Sequence, residues 1–212
     1  MMSLLFLMLW WCTHKGRSVV DVIEGCLLYF VVQSLGSLVI LMGFTSVGIL
    51  VKLGVMPFHL WSIVVLPRMC DTCLILFTTV QKVPLVMMLD VMSTWVIGVL
   101  LVSAFLSSIG SFGSTTKGTL LAWSGVCNTT LMSLVSQHSE SLLFLYVVFY
   151  VIALVHFLNE GGVLGCIHLA GVPPYPLFWV KLFLILSLAP LCVSVLLVSS
   201  VLLFLAYITF HK

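Results

Sequence analysis

Lys52, Lys82 and Lys181 are the residues of this 212-residue chain whose type and setting point to chemistry. Each stands beside an apolar run: Ile49, Leu50 and Val51 precede Lys52, Val83, Pro84 and Leu85 follow Lys82, and Phe178, Trp179 and Val180 precede Lys181. A charged lysine at the centre of a bilayer costs about 2.5 to 3.5 kcal/mol on insertion scales. One such lysine can snorkel its ammonium to the interface; three together point to ionisable groups facing the interior of a bundle. An ammonium withdrawn from water gives up its proton more readily, so the chemistry these residues suit is a proton relay. Two of them border helix distortions, Pro57 after Lys52 and Pro173 to Pro176 before Lys181. Broken helices expose backbone ends that hold water or ions. His59, with an ordinary pKa near 6.5, is a further candidate relay group, or a structural hydrogen-bonder at the break.

The elements that position these lysines must be membrane helices. The chain is 62% hydrophobic and 7% charged, against about 25% charged in soluble domains. Runs such as Leu142 to Leu158 are apolar on every side, which excludes the alternating strands of an outer-membrane barrel. The fold class is all-α, a polytopic transmembrane helix bundle with discontinuous helices and about eight or nine segments. Breaking the chain at polar residues, Gly and Pro predicts Met1–Cys12, about 18 Å long and so part of a helix, then Val19–Ile40, Met42–Met56, Asp71–Leu89, Ser93–Phe112, Thr119–Ser136, Ser141–Asn159, Gly161–Ala189 as two half-helices, and Pro190–Phe210. All of 1–212 forms one domain: a partial helix and basic loop at 1–18, first-half helices with Lys52 and Lys82 at 19–140, and second-half helices at 141–212 broken at 172–176. Alternating the segments puts Lys15, Arg17, Arg68, Lys117 and Lys212 on one side, and the opposite connections hold no Lys or Arg, the asymmetry that sets orientation.

Phosphate loops, nucleophile elbows and metalloprotease signatures are missing from the sequence, and eight scattered Lys and Arg form no nucleic-acid patch. The opening residues lack a basic leader and a cleavage site, which predicts direct insertion or an internal address. Cys70-Asp71-Thr72-Cys73 has C-x-x-C spacing but no second pair and no thioredoxin-like context, so a metal or redox role is not expected of it. His156 and His168 are divided by Glu160-Gly161-Gly162 and are expected to be packing residues that do not face each other, against the di-haem alternative. Gly54, Gly98, Gly110, Gly118 and Gly125 are expected to allow close helix approach. Asp90 and Glu160 read as solvated caps, and Met87, Met88 and the tryptophans as packing and interfacial anchors.

Four motifs carry a resemblance. Lys52-Leu53-Gly54-Val55-Met56-Pro57-Phe58-His59-Leu60-Trp61 resembles a KLGxxPFHxW signature, Gln81-Lys82-Val83-Pro84 a QK-x-x-P segment, Leu121-Ala122-Trp123-Ser124 an LAYSS segment, and Leu169 to Pro174 with Phe178 and Lys181 an LAGIPP...F..K discontinuous helix. In this order they resemble subunit 2 of respiratory complex I, the proton-pumping NADH:ubiquinone oxidoreductase, an antiporter-like membrane subunit, from about Tyr29 onward. The resemblance implies that Lys52 is the first-half channel lysine, Lys82 the connecting central lysine and Lys181 the second-half lysine of a hydrated proton axis. It implies a multi-pass protein of the mitochondrial inner membrane with Lys15, Arg17, Arg68, Lys117 and Lys212 facing the matrix. The other membrane-arm subunits and membrane lipids are its implied partners, and nucleic acid is not among them. It implies no cofactor or metal in this chain, FMN and iron–sulfur clusters belonging to other subunits.

The chain also departs from that pattern. Family members are longer at both ends and pair the first lysine with a buried glutamate, whereas no acidic residue precedes Asp21 here. Three explanations stand side by side: the glutamate is lost, a separate chain supplies the N-terminal helices, or Asp21 or Glu24 substitutes. Two alternatives to a pumping subunit follow, a structural subunit of the same complex that no longer pumps and a stand-alone cation/proton antiporter.

Overall fold

A computed structural model describes Cys12 and residues 18–89, 93–136, 139–160, 163–173, 175–187 and 190–211. The expectations for Met1–Cys12 apart from Cys12 itself, and for Lys15, Arg17, Asp90, Pro174 and Lys212, fall outside the described residues, as does the side chain of Glu160. Every regular element among the described residues is helical.

The chain order is α1 (Val19–Leu41), α2 (Thr45–Leu53), α3 (Leu60–Val65) running into a 3₁₀ turn (Leu66–Arg68), α4 (Asp71–Thr78), α5 (Lys82–Met88), α6 (Thr94–Gly110), α7 (Lys117–Val135), α8 (Glu140–Glu160), α9 (Val163–Ala170), α10 (Pro176–Ser187) and α11 (Pro190–His211). Five helical stretches among the described residues are long and apolar enough to cross a membrane: Val19–Leu41, Asp71–Met88, Thr94–Gly113, Glu140–Asn159 and Cys192–Phe210. All backbone polar groups must be satisfied inside lipid, which helices alone achieve in such segments.

Three crossings are broken, one more than the distortions expected at Pro57 and at Pro173 to Pro176. Residues 57–70 are no simple connection. α2 has nine residues, about 14 Å, and ends at Gly54, whose φ of 69° places it in the left-handed region that a side chain enters only at a cost. α3 and the 3₁₀ turn then carry the chain on, and α1 runs alongside all three. The second break divides α4 from α5 at Thr79–Gln81, so Lys82 is the first residue of a half-helix. The third divides α9 from α10, as expected, with Gly171 at φ 72°.

The two halves meet on α7. It packs against α3, α5, α6, α8 and α11, and every residue from Leu120 to Val135 except Trp123 is buried. Ser124, Asn128, Thr129, Thr130 and Ser133 leave it one apolar stripe, Leu120, Cys127, Leu131 and Leu134, and that stripe is buried as well, so neighbouring helices enclose it. Its start is fixed by a capping box between Thr116 and Thr119. Small residues set the close approaches. A Cβ on Gly48 would lie 2.7 Å from the Gly36 carbonyl, one on Gly110 2.6 Å from the Trp123 ring, and one on Gly118 2.6 Å from Pro67. The last contact places Lys117 and Arg68 at the same end of the bundle. Gly98 departs from expectation: a Cβ there would meet nothing within 4 Å.

Candidate functional site

Each of the three lysines stands at a break. Lys52 is the penultimate residue of α2, half-buried, and its backbone carbonyl accepts a 3.2 Å hydrogen bond from Gln33 Nε2 on α1. Lys82 is 6% exposed; its Nζ donates to Thr129 Oγ1 on α7 at 2.6 Å, and that hydroxyl donates to the Gly125 carbonyl at 2.5 Å. Lys181 is likewise 6% exposed and donates through Nζ to the Ala170 carbonyl at 3.2 Å. Ala170 ends α9, where the helix leaves carbonyls unpaired and its dipole favours a cation. The broken helix is therefore capped by a lysine from its own second half.

Lys52 and Lys82 come together. They line one cavity of about 290 Å³ with Tyr29, Gln33, Trp61, Phe77, Gln81, Pro84 and Leu85. Tyr29 donates to Gln81 Oε1 at 2.6 Å, and Trp61 donates through Nε1 to the Val51 carbonyl at 3.1 Å. Trp61 reaches that place because Gly54 has no side chain; a Cβ there would touch its ring at 3.1 Å. Lys181 lies apart, in a cavity of about 250 Å³ formed by the Gly171–Pro173 break, α10 and α11.

α7 stands between the two cavities. Thr129 holds Lys82, and Cys127, two residues earlier, is in electrostatic range of Lys181. Asn128 Oδ1 accepts from the Tyr146 hydroxyl at 2.8 Å. The Tyr150 hydroxyl lies beside Asn128 and Thr78, and that of Tyr207 beside Ser124, without closing hydrogen bonds. A buried polar ladder thus runs along the helix that separates Lys82 from Lys181. Sequence reasoning missed Thr129, Asn128, Tyr146, Tyr150 and Tyr207. The available signal was the run Cys127-Asn128-Thr129-Thr130 in the middle of a crossing.

His59 lines a different cavity, about 490 Å³, with Met56, Pro57, Trp95, Gly98, Val99, Val102 and Leu106, and its ring lies 5.3 Å from that of Trp123. His156 and His168 correct an expectation. The chain folds back between α8 and α9, a Cβ on Gly165 would lie 2.8 Å from Phe157 Cα, and the two imidazoles meet edge to face at 5.4 Å. His168 also stacks on Tyr175 at 4.4 Å, so the pair is in ring contact. Asp21 and Glu24 do not reach Lys52: Glu24 pairs with Arg68 at 3.0 Å, and Asp21 is exposed beside Ser18.

No family model matches the chain. It is similar to NADH-ubiquinone oxidoreductase chain 2 of Artemia franciscana, 26% identical over 84% of this chain and 70% of that protein. It is also similar to NADH-ubiquinone oxidoreductase chain 2 of Mytilus edulis, 29% identical over 81% of this chain and 65% of that protein. The chain spans about two thirds of the length of these curated relatives. Both bear out the resemblance to subunit 2 read from the four motifs.

Proposed function

We propose that the chain serves as a membrane-arm subunit of respiratory complex I, in the role of chain 2, and passes protons by way of Lys52, Lys82 and Lys181. The subunit role is supported by both relatives, which carry the name of that complex, and by the apolar helices of a multi-pass membrane protein. Its partners are the other membrane-arm subunits, its place the mitochondrial inner membrane with the Arg68 and Lys117 end toward the matrix. The redox groups belong elsewhere in the complex, and this chain's share of the enzyme is proton movement.

The observation that carries the relay is the shared cavity of Lys52 and Lys82. The two are 30 positions apart in sequence and on different helices, yet they face one space walled by Tyr29, Gln33 and Gln81. A proton leaving one lysine there meets polar groups before it meets lipid. From Lys82 the Thr129 hydroxyl and the α7 ladder lead toward Lys181. Redox-driven shifts in the protonation of such a chain transport protons only if each state is stabilised differently.

A second reading is a subunit of the same complex that has ceased to pump. It is favoured by the lining of the Lys52 cavity, which among the described residues holds no acid, and by the pairing of Glu24 with Arg68. Lys82→Met separates the two. In complex reconstituted into vesicles, the variant is expected to assemble and oxidise NADH while losing the proton gradient. An assembled variant with a normal gradient overturns the relay and leaves the structural reading.

A further inference from the structure

The C-x-x-C spacing of Cys70 and Cys73 carries no site by itself, but the fold supplies what the local sequence lacks. Cys12, from 58 residues away, places its Sγ 3.1 Å from that of Cys70 and 3.5 Å from that of Cys73. All three thiols lie within 4.8 Å of one another and are at most 3% exposed. We propose that Cys12, Cys70 and Cys73 bind one soft d¹⁰ metal ion, zinc(II) or copper(I), at the Arg68 end of the bundle.

Three features argue for a ligand set over packing. Cys70 occupies the position before the first residue of α4 and Cys73 lies in its first turn, so one helix start presents both sulfurs to Cys12. The backbone N–H of Cys70 donates to Cys12 Sγ at 3.3 Å, the kind of second-shell bond that orients a metal-binding sulfur. Thr72 Oγ1 lies 3.3 Å from Cys70 Sγ, a further hydroxyl for the same purpose.

The donor set decides the class of ion. Three thiolates in an apolar pocket select soft ions, copper(I) and zinc(II), over magnesium or calcium. Copper(I) is satisfied by three sulfurs, and zinc(II) asks for a fourth ligand. Cys26, buried on α1 next to Gly25, against which Arg68 and Met69 pack, lies outside the three-thiol cluster, so the set suits copper(I) directly and zinc(II) with water as its fourth ligand. Each thiol that coordinates releases its proton to water, and no electron is exchanged.

The test uses the full chain, purified without oxygen in detergent and offered zinc(II) or copper(I) alone, then washed with a competing chelator. One ion per chain is expected to remain, with an X-ray absorption spectrum showing three sulfurs at about 2.3 Å. Cys70→Ser is expected to release the ion into the wash, and Cys192→Ser to retain it. The absorption spectrum of the unmutated chain stands even if the variants fold poorly. Loss of both ions in the wash, a nitrogen and oxygen shell, or full retention by a Cys12→Ser/Cys70→Ser double variant overturns the site.

Discussion

The Lys82 ammonium and the Thr129 hydroxyl, 47 residues apart, meet at 2.6 Å inside the bundle. This bond joins the half-helix α5 to the central helix α7. Hydrogen bonds to charged groups contribute about 1.5 to 3 kcal/mol, and a buried donor left without its acceptor costs more than the bond alone would suggest. Thr129→Val is therefore expected to lower stability by roughly 2 kcal/mol and to slow proton transport, whereas Thr129→Ser keeps both. Thermal unfolding in detergent and gradient formation in vesicles are the measurements; equal stability of the Val and Ser variants would remove the bond from the relay.

Gly171 and Lys181 give a second prediction. Gly171 has φ 72°, and a Cβ there would lie 3.3 Å from Lys181 Cδ and 3.4 Å from its Nζ. Gly171→Ala is expected to cost roughly 1 to 2 kcal/mol from the left-handed backbone and to push Lys181 off the Ala170 carbonyl, with a fall in proton transport. Gly98→Ala is the control, since a Cβ there meets open space, and it is expected to stay within about 0.5 kcal/mol of the parent protein. The pair is compared by unfolding temperature, and similar losses in both would refute the assignment of strain to Gly171.

At the crossing of α1 and α2, Gly36 lies against Gly48 and against the stem of Lys52, with a Cβ on Gly36 only 2.7 Å from Lys52 Cγ. Gly48→Ala drives that new methyl against the Gly36 backbone, an overpacking that costs roughly 1 to 3 kcal/mol. The opposed helices must part, which widens the cavity shared by Lys52 and Lys82. Reduced thermal stability together with altered proton transport is the expected result; a fully stable variant would show that the contact yields easily.

Gln81 tests the cavity electrostatically. Its Oε1 accepts from the Tyr29 hydroxyl in the cavity that holds both lysines. Gln81→Glu adds a negative charge there, and an opposite charge nearby favours the protonated lysine. Protons are then held rather than passed on, so gradient formation is expected to slow while assembly on native gels is unchanged. An unaltered rate would mean that neither lysine senses the cavity.

Most of the crossings were legible because length of apolar run is what the bilayer demands, and the breaks at Gly54 and Gly171 were marked by glycine and proline. The break at Thr79–Gln81 was not, since those residues carry neither. Pro84 was the available clue: it sits in the first turn of α5, where proline is tolerated, and so marks a helix start. The lysines were legible from their cost in lipid. Thr129 was hidden because an acceptor 47 positions away is specified by helix packing and not by spacing. The meeting of His156 with His168, and of Cys12 with Cys70 and Cys73, escaped for the same reason, since a loop's direction of return is set by what its helices bury.

The enclosed position of α7 has a consequence for biogenesis. A segment with Ser124, Asn128, Thr129, Thr130 and Ser133 among its buried residues partitions poorly into lipid alone, because each hydroxyl or amide enters hydrocarbon at a cost. Its neighbours α3, α5 and α6 precede it in the chain and α8 and α11 follow. α7 is therefore expected to enter the membrane against the helices that precede it rather than as a lone span, and its enclosure is complete only once α8 and α11 have followed.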